Sequence, residues 1–260
     1  MRPSGNPSER WLAYREVNPS ARLRMFCFPH AGGGASTYRT WQATLRDVEV
    51  CPVQPPGREN RLREPAFTRL LDMIPPLADA LAPYMDMPFV FFGHSLGSAT
   101  AFELARELRR RGRPLPAHLF ASGRPAPDLP PRDEPIHALP EPEFIEKLRE
   151  MNGTPEEVLQ HEELMKLLLP ILRADFAVNE TYQYAGDEPF DFGVSAFGGL
   201  GDPDVHREDL EAWKKQTRGR FRLRMLPGDH FFIMGNKDLV LEAVARDLAE
   251  ISTTALPGPR

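Results

Sequence analysis

Short apolar runs bounded by turn residues recur along this chain, and stretches with helical spacing lie between most of them. Leu23–Phe28 (LRMFCF) is apolar except for Arg24 and runs into Pro29 and three glycines, which predicts a buried strand followed by a sharp loop. Val48–Gln54 reads as a second strand, with Pro52 pointing to a bulge or a sheet edge. Between residues 67 and 84, Leu70, Leu71, Ile74, Leu77, Ala78 and Leu81 share one helical face, although Pro75 and Pro76 could kink or split the helix. Phe89–Gly93 (FVFFG) is wholly apolar, as a strand covered on both faces must be. A helix follows Ser95 and closes at Gly112, and Leu115–Gly123 reads as the next strand.

The pattern then changes. Residues 124–140 are Pro-rich and loop-like, and from about 141 to 184 the spacing is helical throughout. Leu164, Leu167, Leu168, Ile171 and Leu172 form a wide apolar stripe, bent at Pro170. Alternation resumes with a strand over Phe190–Gly199, a helix over 207–217, a strand over Phe221–Gly228 and a last helix over about 236–250. The expected fold is α/β: a mostly parallel central sheet flanked by helices, its core in residues 1–127 and 186–260, interrupted by a helical insertion at 128–185. In such sheets ligands gather beyond the carboxyl ends of the strands, so the residues just after each strand carry the functional reading.

Composition narrows the classes. The chain has 260 residues, 41% hydrophobic and 27% charged, enough to bury a sizeable core. With 32 Lys and Arg against 37 Asp and Glu, the formal charge of −5 does not suggest a nucleic-acid partner. Cys27 and Cys51 both fall in strand-like segments and read as reduced core thiols rather than a disulfide or a metal set. The N-terminal stretch is polar and unlike a signal peptide, and no apolar run is long enough to span a membrane, so a cytoplasmic protein is expected.

The sharpest local signal is Gly93-His94-Ser95-Leu96-Gly97, a G-x-S-x-G sequence set between an apolar strand and a helix. In that context the serine occupies a tight strand-to-helix turn with its hydroxyl exposed, and the glycines on either side let strand and helix approach. A capping serine in a Gly-rich turn is the bland alternative. A nucleophilic serine needs a base and an orienting acid. Of the seven histidines, His230 follows the last strand and can hang over the sheet edge, with His206 as the rival. Asp202 opens the turn after the preceding strand and is preferred to Asp204; Asp229, next to His230, reads as loop structure. FPHAGGG (Phe28–Gly34) offers the second oxyanion donor, Ala31 N–H, to pair with Leu96 N–H.

These segments resemble the type II thioesterases, the discrete editing enzymes of modular polyketide synthases and nonribosomal peptide synthetases. The resemblance rests on FPHAGG at Phe28–Gly33, QPPGRENR at Gln54–Arg61, GHSLG at Gly93–Gly97, LLLPILRADF, GGLGDPDVHREDLEAW at Gly198–Trp213, and GDHFF at Gly228–Phe232, in that order over nearly the whole chain. It implies an α/β-hydrolase fold with a helical lid, Ser95 as nucleophile, Asp202 as acid, His230 as base, and oxyanion donors at Ala31 and Leu96. It also implies hydrolysis of short or aberrant acyl groups from the phosphopantetheine arm of acyl or peptidyl carrier proteins, with no cofactor of the enzyme's own. His30, Met151, Leu164, Leu168 and Phe176 are candidates for lining the acyl chamber. Arg58, Arg61 and Arg63, or Arg109–Arg111 with Arg113, are candidates for docking an acidic carrier. A general carboxylesterase or lipase, an acyl-CoA or fatty-acyl carrier thioesterase, and a non-catalytic module on a hydrolase fold are the alternatives.

Overall fold

A computed structural model describes residues 8–132, 134–151 and 153–255, with side chains described as far as Ile251. Six strands form one sheet in which every neighbouring pair is parallel: β1 (Leu23–Phe28), β2 (Val48–Pro52), β3 (Phe89–His94), β4 (His118–Ser122), β5 (Gly193–Gly199) and β6 (Phe221–Leu226). The spatial order is β2-β1-β3-β4-β5-β6. The chain therefore leaves β1 toward one edge and returns at β3 to build toward the other. The loops after β1 and β3 diverge, and a crevice opens beyond their carboxyl ends.

Side chains of period two divide between the faces. Phe26, Phe28, Phe89 and Phe91 pack with helices α1 (Leu70–Leu81) and α2 (Leu96–Arg110). Met25, Cys27, Val90 and Phe92 pack on the other face, with Tyr38, Trp41 and the long C-terminal helix. Both faces are covered at β3, which is why that strand lacks polar alternation, whereas the half-buried edge strand β6 alternates apolar residues with Arg222 and Arg224. Pro52 ends β2 at the sheet edge, where its missing N–H costs nothing. Cys27 and Cys51 are buried and unpaired.

The insertion consists of helices α3 (Glu141–Glu150), α4 (Glu156–Leu159) and α5 (Glu162–Glu180). It has its own apolar cluster, Phe144, Leu148, Leu159, Met165, Leu169 and Leu172, separate from the two sheet faces. Pro170 lies inside α5 without ending it. The remaining helices are α6 (Arg207–Glu211), α7 (Phe232–Gly235) and α8 (Lys237–Ala255).

Three expectations are corrected. Pro75 and Pro76 do not split α1; the carbonyls they deprive, on Leu71 and Asp72, belong to exposed residues that water can reach. The N-terminal stretch, polar in sequence, joins the core from Ser8 onward: Trp11 is buried beneath the Arg61 guanidinium, and Leu12 bridges Val53. The last helix continues through Ala255, beyond the expected end near 250. Residues 1–7 and 256–260 lie outside the described residues.

Candidate active site

Ser95 sits between β3 and α2 with φ 53° and ψ −116°, a left-handed backbone that a side chain adopts only when its surroundings force it. The forcing is visible at two glycines. A Cβ on Gly93 would lie 2.2 Å from the Gly97 carbonyl oxygen, and a Cβ on Gly97 would lie 2.0 Å from that of Phe28. Helix α2 therefore starts in backbone contact with the end of β1, and Leu96 N–H is brought beside the loop that carries Ala31. Ser98, which sequence reasoning missed, locks the turn. Its hydroxyl has the carbonyls of Gly93 (2.8 Å) and Ser122 (2.9 Å) in reach of its one proton and accepts from Ser122 N–H (3.0 Å).

Asp202 and His230 are joined across the ends of β5 and β6. Beyond the strands, Leu200 N–H donates to Leu226 and Gly201 N–H to Gly228, so the pairing continues into both loops. A Cβ on Gly199 would strike the Asp229 carbonyl oxygen at 2.3 Å, so these loops approach closely only at a glycine. His230 Nδ1 then lies 2.7 Å from Asp202 Oδ2, while Asp202 Oδ1 accepts from the backbone of Asp204 and Val205. The rivals have other roles: His206 and Asp209 form a capping box on α6, and Asp229 accepts from Phe231 N–H.

A second imidazole lies beside His230, and a third lies beyond it. The His94 ring centroid is 5.2 Å from that of His230, and the His30 ring is 5.9 Å from that of His94. Burial, reinforced by His230, pushes His30 down to about 4 and His94 well below the usual histidine range. Both stay neutral at pH 7, so neither places a fixed charge beside His230.

A second grouping of serine, histidine and aspartate occurs elsewhere. Ser195 on β5 lies 2.8 Å from His118 Nε2 and donates to Asp247 Oδ2 at 2.6 Å. Here the serine stands between its partners, all three are at most 5% exposed, and Arg224 holds the aspartate. With its proton committed to Asp247 and no access to solvent, Ser195 is a buried bridge between strand and helix, not a nucleophile.

Of the chamber candidates, His30 lines both hollows next to the serine turn. A small, mainly apolar cavity of about 20 Å³ is walled by Trp11, Phe28, Val53, Met73 and Leu77 and includes His30 and Leu96. The insertion contributes Asp175 and Val178 to it. Met151 and Leu164 are instead 43% and 41% exposed, and Leu168 and Phe176 pack against the insertion's own cluster. An open cleft of about 690 Å³ adjoins His30 and is bordered by Gly32, Thr37, Gly153, Phe231 and Met234.

The candidate docking arginines differ in their surroundings, and Arg110 stays 71% exposed at its side chain. Arg58 is buried against Asp175, and Arg61 is buried against Glu64 and the Gln54 carbonyl. Arg109, Arg110, Arg111 and Arg113 are paired with Asp187, Glu107 and Asp79. Only Arg63 of the first set is exposed.

A parallel sheet with a helical insertion, a serine elbow after β3 and an acid–base pair after the last two strands defines an α/β-hydrolase. The thioesterase-domain profile matches residues 23–251, and the chain belongs to the thioesterase family, among its type II members. The gramicidin S biosynthesis protein GrsT of Aneurinibacillus migulanus is 46% identical, over 92% of this chain and 94% of its own. RedJ, a thioesterase of the prodiginine pathway in Streptomyces coelicolor, is 38% identical, with a TM-score of 0.83 over 94% of this chain and 91% of its own. BorB, the type II thioesterase of the borrelidin cluster, is 34% identical, with a TM-score of 0.79 over 91% of this chain and 97% of its own. Among the described residues, no helix is long and apolar enough to cross a membrane.

Proposed function

We propose that this thioesterase releases short or aberrant acyl groups from the phosphopantetheine arm of carrier proteins in a polyketide or nonribosomal peptide synthase. The observation that carries the chemistry is the 2.7 Å contact between His230 Nδ1 and Asp202, set at the same sheet edge as the left-handed Ser95 turn. The relatives' association with such pathways supports the carrier as partner.

His230 takes the Ser95 proton as Oγ attacks the thioester carbonyl, and Asp202 stabilises the imidazolium that forms. The N–H groups of Ala31 and Leu96 face the developing oxyanion; losing one such donor costs about 3 kcal/mol. The C–S bond breaks, and the pantetheine sulfur leaves as a thiol with the proton from His230. Water, deprotonated by His230, then attacks the acyl–Ser95 ester; the C–Oγ bond breaks, and the acid is released as Ser95 regains its proton. The reaction as proposed needs no cofactor from the enzyme. The open cleft suits the pantetheine arm. The cavity beside Leu96, with room for about one small group, suits a short acyl chain. The unpaired thiols suit a reducing compartment such as the cytoplasm.

The test is release of acetyl, propionyl and butyryl groups from a phosphopantetheinylated carrier, with matched acyl-CoA and oxygen esters alongside. Ser95-dependent turnover fastest on the carrier is expected. Oxygen esters turned over as fast, with the carrier ignored, would replace the editing role with a general esterase. Preference for acyl-CoA would point to a free-thioester hydrolase.

A further inference from the structure

Arg58 and Asp175 are 117 residues apart and meet in the interior, 8% and 5% exposed at their side chains. The guanidinium grips both carboxylate oxygens, Nη1 to Oδ2 at 2.6 Å and Nη2 to Oδ1 at 2.7 Å. Neither group stops there. Asp175 Oδ2 also accepts the Gly32 N–H at 2.6 Å, and Arg58 Nη1 reaches the Gly33 carbonyl at 3.1 Å. Gly32 has φ +76°, and a Cβ there would lie 2.7 Å from Leu172, one turn before Asp175 on α5. Gly32 directly follows Ala31. The lid helix thus grips, by one charge-assisted bond and one apolar contact, the residue next to a proposed oxyanion donor.

Other bonds show that this loop depends on bracing from outside. Gln54 accepts Ala35 N–H at 3.0 Å and donates to the Arg58 carbonyl, and Glu59 accepts the Ser36 hydroxyl at 2.6 Å. The segment after β2 therefore supports the loop after β1 on one side, while α5 holds it on the other. The lid linker also reaches the base loop, since Gly153 lies against the Phe231 ring.

We propose that Arg58 and Asp175 are positioning residues that make the oxyanion geometry conditional on the seating of lid helix α5. When α5 lifts, the Gly32 N–H loses its acceptor, Arg58 loses its carboxylate, and Ala31 N–H is no longer held toward the reacting carbon. Hydrolysis is then confined to molecules whose lid has closed over an acyl group. This rests on the thioesterase reading with Ala31 as donor.

Asp175→Asn and Arg58→Lys test it. The first keeps the shape but turns an N–H₂ toward Arg58; the second keeps the charge but cannot grip two oxygens. Displacing a reacting geometry by about 1 Å can cost about 10²-fold. The expected result is a fall in kcat of about 10- to 100-fold on acyl-carrier substrate with KM within about twofold. A trifluoromethyl ketone, whose Ser95 adduct places an oxyanion in the hole, should weaken by a similar factor, while a non-hydrolysable thioether analogue binds unchanged. Amide exchange at Gly32 should quicken. Unchanged kcat, a change confined to KM, or failure of both variants to fold would overturn the proposal. The wild-type and Ser95→Ala enzymes separate the two readings: wild type without Ser95-dependent release defeats the thioesterase assignment, whereas active wild type with unaltered variants defeats only this one. Gly32 exchange reads the bracing even without turnover.

Discussion

Ser95 and Ser195 are both serines with a histidine and an aspartate in reach, and their difference lies in where the proton can go. Ser195 gives its hydrogen to Asp247, which retains its charge because bonds from Arg224 and Ser195 overcome the cost of burial. Ser95 lies at the half-buried turn beyond β3, where its hydroxyl has no carboxylate acceptor of this kind among the described residues. Ser95→Ala should abolish acyl release, and Asp202→Asn should lower kcat by about 10⁴-fold by favouring the wrong tautomer of His230. Ser195→Ala should leave kcat within about twofold once folded protein is assayed. Measured side by side on one acyl-carrier substrate, activity that follows Ser195 instead would relocate the site. A second test concerns the glycines. Gly97→Ala would place a methyl group against the Phe28 backbone, which can yield only by moving β1 or α2, and should destabilise by about 1–3 kcal/mol in urea titration. Gly235 has open space around it, and Gly235→Ala should change stability by less than about 0.5 kcal/mol. The elbow was legible because its requirements are local: five consecutive residues carry the turn, the nucleophile and both close approaches. Arg58 was not. A charged residue in a Pro-Gly loop reads as surface, and nothing in the order of residues reveals a carboxylate 117 positions away. Ser98 escaped for a related reason, since its acceptors belong to β3 and β4.

At the scale of elements, helical spacing found the insertion but could not divide its stripe among the neighbours it packs against. An amphipathic face tells that a helix packs, not against what. In α5 that face divides: Met165, Leu169 and Leu172 join Phe144 and Leu148 of α3 in the insertion's own cluster, whereas Asp175 and Val178 turn to the cavity. Leu164 and Leu167, at the stripe's margin, remain exposed. The insertion's own cluster should therefore loosen as a unit, apart from the end of α5 that Val178 ties to the sheet core. Phe144 is fully buried, packs edge-on to Phe176 at 5.6 Å and lies under Arg173. Phe144→Ala should remove about 3–5 kcal/mol from this cluster. Because the cluster is separate from the sheet faces, hydrogen exchange should accelerate in α3 and α5 with little change in β3 or α2. Leu167→Gln should leave both unchanged. Equal acceleration in β3 would mean that the insertion and the sheet open together. The strands, by contrast, were legible to within three residues at each end: β1 and β3, covered on both faces, show as largely apolar runs, whereas β4 and β5 begin three residues later than expected, at His118 and Gly193.

Across the whole molecule, the buried histidines give stability a definite dependence on pH. His30 and His118 are pushed by burial to about 4, and His94 is driven well below its ordinary value. All three are neutral in the folded state near pH 7, whereas in the unfolded chain they take up protons near 6.5. Below that value the unfolded state binds more protons, so stability falls as the pH drops from about 6.5 toward about 4. Each histidine contributes a slope of up to about 1.4 kcal/mol per pH unit within this window. His30 and His118 cease to add to the loss once they protonate in the folded state near 4. The carboxylates act in the next window. Despite the opposing cost of burial, hydrogen bonds from Arg24 and Arg15 lower Glu49, and those from Arg224 and Ser195 lower Asp247. Their contribution is present above the unfolded carboxylate values near 4 and is lost as the pH falls through their lowered folded values. Urea midpoints measured at about pH 7.5, 6, 5 and 4 should therefore decline steadily from the second point onward. His118→Gln separates this account from general acid lability: it removes one titrating imidazole far from Ser95 and leaves the Ser195–Asp247 bond in place. It should lower stability at pH 7.5 yet flatten the decline between 6.5 and 4 by the share of one group. An unchanged slope would mean that His118 takes no part in the acid response, and the loss would then have to originate beside the active site, in His30 and His94.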